Sequence, residues 1–311
     1  MMNVRRLQKI KGGSYIISLP SDWVRKMKLD VKSGLKVYEV YDGLKIRPPV
    51  KPNLEKVIQL GDLETAKYLI MTYYMQGLDR IVVKSNSVIP LEVKKELREL
   101  QLQCYGLEVE SESFDSIAFR VNVNLSSNLI ESMRQFITKI GNILDDVELL
   151  LGNFTDEMRE DLLARISILN KDYRLLIRMI AVGVQRDDEI NFQLYPKDII
   201  LFAIAMRDLG RFITHLMFFL REIRRDELGK IIGNFQTLKE IFMLAVNMFL
   251  TEDLSPMGKI REGFRNLEKS APKNEAGKEL VRMGSYCIAM MDNAVNKSVR
   301  LYDFSSFSSS S

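Results

Sequence analysis

Residues 13–23 read Gly13-Ser14-Tyr15-Ile16-Ile17-Ser18-Leu19-Pro20-Ser21-Asp22-Trp23. The run from Ser14 to Leu19 is β-rich, and Pro20 stops it, which predicts a strand. Gly12-Gly13 ahead of it signals a turn. Ser21 is placed to cap a short helix over 22–29, with Asp22 at its positive end. Ser33-Gly34 turns the chain again. Two further runs, 35–40 and 44–47, flank Tyr41-Asp42-Gly43. Asp-Gly between such runs is a hairpin signal. Residues 1–47 therefore read as strands around one short helix. A piece so small buries little surface by itself, and pairing with a second copy is the natural remedy.

Outward from this head, Arg47-Pro48-Pro49-Val50-Lys51-Pro52 makes 48–52 a linker. Its prolines favour an extended, semi-rigid spacer. Residues 53–123 read as an α/β segment. It has a helix over 63–76 ending at Gly77, a strand over 80–84, and a helix over 91–105 with Gly106 at its C-cap. Strands over 107–111 and 116–123 follow. Ile117, Phe119, Val121 and Val123 alternate with polar or small residues, so one face of the last strand is buried. Residues 124–303 read as all helical, with helices over 126–151, 156–185, 196–225, 227–250, 258–269 and 274–301. Gly152-Asn153, Asn191 and Ser255-Pro256 mark breaks. Long helices with short links pack as antiparallel bundles. Met133, Met179, Met206, Met217, Met243 and Met248 read as core filler. The Ser-rich tail over 304–311 is low in complexity and reads as disordered.

Charge is unevenly placed. Residues 1–51 hold twelve Lys/Arg and four Asp/Glu, a surplus of +8, whereas the chain as a whole carries +4. The remainder is thus −4. A basic head on a mildly acidic body is the electrostatic footprint of a protein that meets a polyanion. No run of about 18 apolar residues predicts a membrane span. The first residues alternate with charge and lack the apolar stretch of a signal peptide, so a cytoplasmic protein is expected. Cys104 and Cys287 lie far apart, form no metal or redox motif, and read as small buried residues.

The head resembles the SpoVT/AbrB family of swapped-hairpin DNA-binding domains. The resemblance rests on Arg6-Leu7-Gln8-Lys9, on Gly13 through Pro20, on Trp23-Val24 and Leu29, and on the hairpin from Leu35 through Ile46. It implies a dimer whose strands interlock and which presents basic residues to DNA. The matching residues are Arg5, Arg6, Lys9, Lys11, Arg25, Lys26 and Lys28. Lys and Arg are what phosphates require, and each phosphate neutralised releases counterions. Base readout would need an arginine or Gln8 at a base edge.

The helical body resembles the PhoU family of phosphate-uptake regulators, built from two three-helix repeats. The anchors are Leu175-Leu176-Ile177-Arg178, then Arg207-Asp208-Leu209-Gly210-Arg211-Phe212-Ile213-Thr214-His215. Val281-Arg282-Met283 and Asn293-Ala294-Val295-Asn296 complete them. With an AbrB-like head, this looks like the archaeal type of PhoU-like regulator. That family binds multinuclear metal clusters through carboxylates four residues apart on helices. Here Gly210 and Thr214 stand where two acids are usual, Asn170 and Ile168 replace an Asp and a Glu, and Ala289 an Asp. Asp292 alone of the last helix keeps its acid. The resemblance therefore implies that the cluster is lost, and no cofactor is expected.

The leftover metal candidates are Glu157, Asp161, Asp292 and His215. Glu157 and Asp161 sit in the first turn of a helix, where acids complement the macrodipole. Asp145, Asp146 and Glu148 are ambiguous in the same way. His215 lies in an apolar helix and reads as a hydrogen-bonded core or interface residue. A single histidine cannot furnish paired Glu-x-x-His motifs. No Gly-x-Ser-x-Gly elbow is present, and Lys11-Gly12-Gly13-Ser14 lacks P-loop spacing. An enzyme is not expected. The leading expectation is a dimeric DNA-binding regulator of phosphate uptake, with the helical body as sensor or docking domain. The alternative is an interaction module whose body binds a phosphate transporter ATPase or a sensor protein, with the head serving only to dimerise. An antitoxin is a third reading, disfavoured by the large folded body.

Overall fold

A computed structural model describes residues 4–186 and 190–302. The tail expected over 304–311 lies outside the described residues. The chain divides into two compact units, Met1–Asn53 and Leu54–Ser311.

In the first unit, β1 (Gln8–Lys9) pairs antiparallel with β2 (Tyr15–Ile16). Gly12 and Gly13, at φ +115° and +96°, make the turn between them. β2 is far shorter than the predicted run. Helix α1 (Ser21–Lys26) also differs from expectation. Pro20 occupies the capping position, no side chain caps the helix, and Ser21 is its first residue. The helix stops at Lys26 because Lys28 turns left-handed at φ +52°. The Leu29 N–H then donates to Val24 O and the Lys28 N–H to Arg25 O. These are the two bonds of a Schellman stop, made here without glycine. β3 (Lys36–Val40) and β4 (Gly43–Arg47) form the expected hairpin, with Val40 opposite Gly43.

The second unit opens with a four-stranded sheet of order β5-β6-β8-β7, built from β5 (Glu55–Gln59), β6 (Arg80–Lys84), β7 (Leu107–Glu112) and β8 (Ser116–Val121). β5 and β6 are parallel and the other pairs antiparallel. Strand β5 was not foreseen. It is an edge strand with only Ile58 buried, so it shows neither an apolar run nor clean alternation. Ile58, Ile81, Val83, Ile117 and Phe119 pack with Ile70, Tyr74 and Leu97 from helices α2 (Leu63–Met75) and α3 (Leu91–Glu99). Asp62 caps α2, accepting the Thr65 N–H at 2.8 Å.

The helix expected over 91–105 ends at Glu99, in a 3₁₀ turn. Gly106 is therefore not its C-cap but the entry to β7. It sits at φ +67°, and a Cβ there would fall 2.1 Å from the Asn122 carbonyl oxygen. Gly106→Ala is expected to destabilise the fold by about 2–4 kcal/mol, since backbone clash and left-handed strain add. Urea unfolding of the variant measures this.

The six expected helices are all present: α4 (Leu129–Gly152), α5 (Asp156–Gln185), α6 (Pro196–Glu222), α7 (Leu228–Thr251), α8 (Met257–Ser270) and α9 (Glu275–Ser298). Asn128, Thr155 and Asn274 cap α4, α5 and α9 through side-chain oxygens. α4 starts later than expected because Asn128 takes the capping position. α6 stops short of 225 because Ile223 turns extended. α5 packs on α4 and α6, and α8 packs on α7 and α9. The two triplets join through α4–α7 and α6–α9. Their buried side chains form one continuous core, so the triplets are fused rather than separate bundles. Met133, Met179, Met206 and Met248 are core residues and Met217 packs against them. Met243 is 44 % exposed, contrary to expectation. Both cysteines are buried, and burial pushes the Cys104 thiol up to about 11 and Cys287 higher still.

A row of polar side chains on α5 docks the α/β layer. Arg178 is 2 % exposed. It donates to the carbonyls of Tyr74 and Leu78 and to the Asp79 carboxylate, each at 2.8 Å. Arg186 adds two bonds to Asp79, at 3.1 and 3.2 Å. Arg174 donates to the Gln103 carbonyl, and the Tyr105 hydroxyl donates to Asp172. Burial lowers the Arg178 pKa, and the Asp79 carboxylate opposes that shift.

Candidate functional site

The head holds the predicted DNA-contacting residues in two sets. Arg5, Arg6, Gln8, Lys9 and Lys11 lie on β1 and the residues flanking it. Arg25 and Lys26 occupy the last turn of α1, and Lys28 the left-handed stop beyond it. All eight are exposed. Arg25 is paired with Asp22 at 2.5 Å. Lys9 lies over the Tyr15 ring, 5.8 Å from its centre. Among the described residues, no carboxylate pairs with Arg5, Arg6, Lys9, Lys11, Lys26 or Lys28. Their charges are thus available to an anion.

Among its described residues the same unit has no core. None of its described residues is buried, and Leu7, Ile10, Tyr15, Ile16, Ile17, Val37 and Leu44 are all exposed. In the β3–β4 register Val37 faces Ile46 and Glu39 faces Leu44, which puts Val37 and Leu44 on one face of the hairpin. Exposed apolar residues at this density mark an interaction surface.

The four metal candidates are not brought together. Asp161 lies 3.6 Å from Arg165 at the start of α5, where Glu157 is exposed. Asp292 is exposed on α9. The His215 Nδ1 is 2.5 Å from a Glu279 oxygen, and its ring stacks on Tyr286. Glu279 also accepts from Arg282. His215 is therefore the hydrogen-bonded residue the sequence suggested. Among the described residues, no three His, Cys, Asp or Glu side chains gather as a metal would require. No helix among them is long and apolar enough to cross a membrane.

Two polar clusters in the body escaped sequence reasoning. Asp198, at the start of α6, meets Arg300 at 3.1 Å, and Glu252 accepts from both Lys297 and Arg300 at 2.8 Å. Burial raises the Asp198 pKa, against the pull of Arg300. On the other side, Lys139 of α4 and Asp172 of α5 pair at 2.8 Å, at the mouth of a cleft. In both clusters the partners lie tens of residues apart, so no local spacing reveals them.

No curated protein and no solved structure matches the chain. Residues 8–54 match the model of a family described as "Antidote-toxin recognition MazE, bacterial antitoxin". The head is thus similar to MazE/AbrB-like domains, and the likeness is confined to it.

Proposed function

We propose that the chain is a DNA-binding regulator whose head reads DNA as a homodimer and whose body senses a signal or docks a partner. The observation that carries this reading is a basic head with no buried residue among those described and with its apolar side chains exposed. Such a unit needs a second surface to bury them, and a second copy offers a self-complementary one. The unpaired cations then double in number on one particle, which favours phosphate binding. The similarity to MazE/AbrB-like domains supports the same reading. The paired triplets α4–α6 and α7–α9 are in keeping with a PhoU-like body, and from that resemblance the signal is taken to concern phosphate uptake. On this reading the protein is cytoplasmic, has no catalytic role and needs no metal cluster.

The test is binding to genomic DNA fragments across a salt series, with the mass of the particle measured in parallel. A dimer that selects particular fragments with tight, salt-dependent affinity is expected. A Val37→Lys/Leu44→Lys variant should be monomeric and lose most of that affinity. Weak, unselective binding that disappears near physiological salt would sink the proposal. It would favour a module whose body binds a phosphate transporter ATPase or a sensor protein.

One observation favours a second reading. The matched family model describes antitoxins, so the chain could neutralise a small toxin. Affinity capture separates the two, because a small toxin held in stoichiometric amount would support the antitoxin reading.

A further inference from the structure

A cleft of about 190 Å³ opens between residues 124–126, α4 and α5. Its floor is apolar, with Phe136, Leu176 and Met179 all buried. Its mouth carries the Asn124 side chain and the Lys139–Asp172 pair.

We propose that this cleft binds an apolar α-amino acid. The ligand carboxylate would meet Lys139, its ammonium Asp172, and its side chain the apolar floor. The proposal rests on the reading of the body as a sensor, and it names the sensing site and its ligand class.

The charge balance of the mouth selects the ligand. Lys139 has three N–H donors, and one is used on Asp172. Each Asp172 oxygen accepts one bond, from Lys139 or from the Tyr105 hydroxyl, and each retains a lone pair. A plain carboxylate would reach Lys139 but face the Asp172 carboxylate. A plain amine would reach Asp172 but face Lys139. A zwitterion satisfies both the half-exposed Lys139 and the largely buried Asp172 and leaves no net charge beside the latter. The Asn124 amide is exposed and supplies a further donor. Ser126, Ser132 and Gln135 also line the cleft, but the buried floor of Phe136, Leu176 and Met179 favours an apolar side chain.

The site also has a route to the rest of the molecule. Asp172 accepts the Tyr105 hydroxyl at 3.1 Å, and Tyr105 belongs to the α/β layer. A ligand ammonium on the remaining lone pairs of Asp172 would share that carboxylate with the Tyr105 hydroxyl. Binding would therefore bear on one of the bonds that hold the α/β layer on α5, which gives ligand and layer position a shared free energy.

Titration calorimetry on the full chain, without DNA, tests this with L-leucine, L-methionine and L-phenylalanine. Leucinamide and 4-methylpentanoate, each lacking one charge, are the controls. Saturable binding of at least one amino acid is expected, with Kd at or below about 1 mM. Both controls should bind about tenfold more weakly or worse, and Lys139→Met and Asp172→Asn should each cost about tenfold. Circular dichroism confirms that the variants are folded. No saturable heat from any of the three at roughly 10 mM would overturn the proposal. Equal binding of the charge-deleted analogues, or binding unmoved by both substitutions, would overturn it equally. Because no DNA is present, failure here leaves the DNA-binding reading standing, and failure of that reading leaves this result standing.

Discussion

Replacing Arg5, Arg6 and Lys9 together by alanine is expected to abolish tight DNA binding while leaving the protein folded. In a dimer the change removes six cations. If each neutralises one phosphate, the slope of log affinity against log salt should become shallower by about 5, at about 0.9 per phosphate. Between about 50 and 200 mM salt the parent should therefore lose roughly a thousandfold more affinity than the variant. Folding should not suffer, because all three residues are exposed and pair with no carboxylate among the described residues. Fluorescence anisotropy across a salt series reads the slope directly. A variant that keeps the parental slope would show that these residues face water rather than phosphate.

Arg178→Ala is expected to have the largest effect on stability, about 3–5 kcal/mol. The substitution takes the arginine donor from the Leu78 carbonyl in a buried junction, leaves the Tyr74 carbonyl with the Gly77 N–H alone, and removes one arginine from Asp79. Arg186 still holds that carboxylate, so the layer should loosen rather than detach. The loss should be local. Hydrogen exchange ought to accelerate over 54–123, while the core shared by α4–α9 keeps its protection. Unchanged exchange over 54–123 would mean that apolar packing alone docks the layer, for instance where Gly77 lies against Val182.

Helices α4 to α9 were legible because each buries an apolar stripe at helical period and three carry capping residues. α5 was predicted to the residue. The β3–β4 hairpin was legible from its Asp-Gly turn. The sequence carries no local signal where stability comes from elsewhere. Strand β5 is an edge with one buried residue, so its sequence carries no period. The stop of α1 is made by Lys28 in a conformation usually left to glycine, which no composition rule anticipates. Of the site, the basic residues of the head were readable because charge is local in sequence. The Lys139–Asp172 pair and the Asp198–Arg300 pair were not, because the fold alone brings α4 to α5 and α9 to α6.

The head without a core has a further consequence. If its apolar side chains are buried only against a second copy, then folding and association are one equilibrium, and half-folding depends on how much protein is present. A tenfold dilution would act on the head as a denaturant does, whereas the self-sufficient helical core would not respond. The quantity of reader competent for DNA would then rise faster than in proportion to the chain's abundance. Expression level would itself set a threshold, below which the cell holds folded bodies carrying unfolded heads.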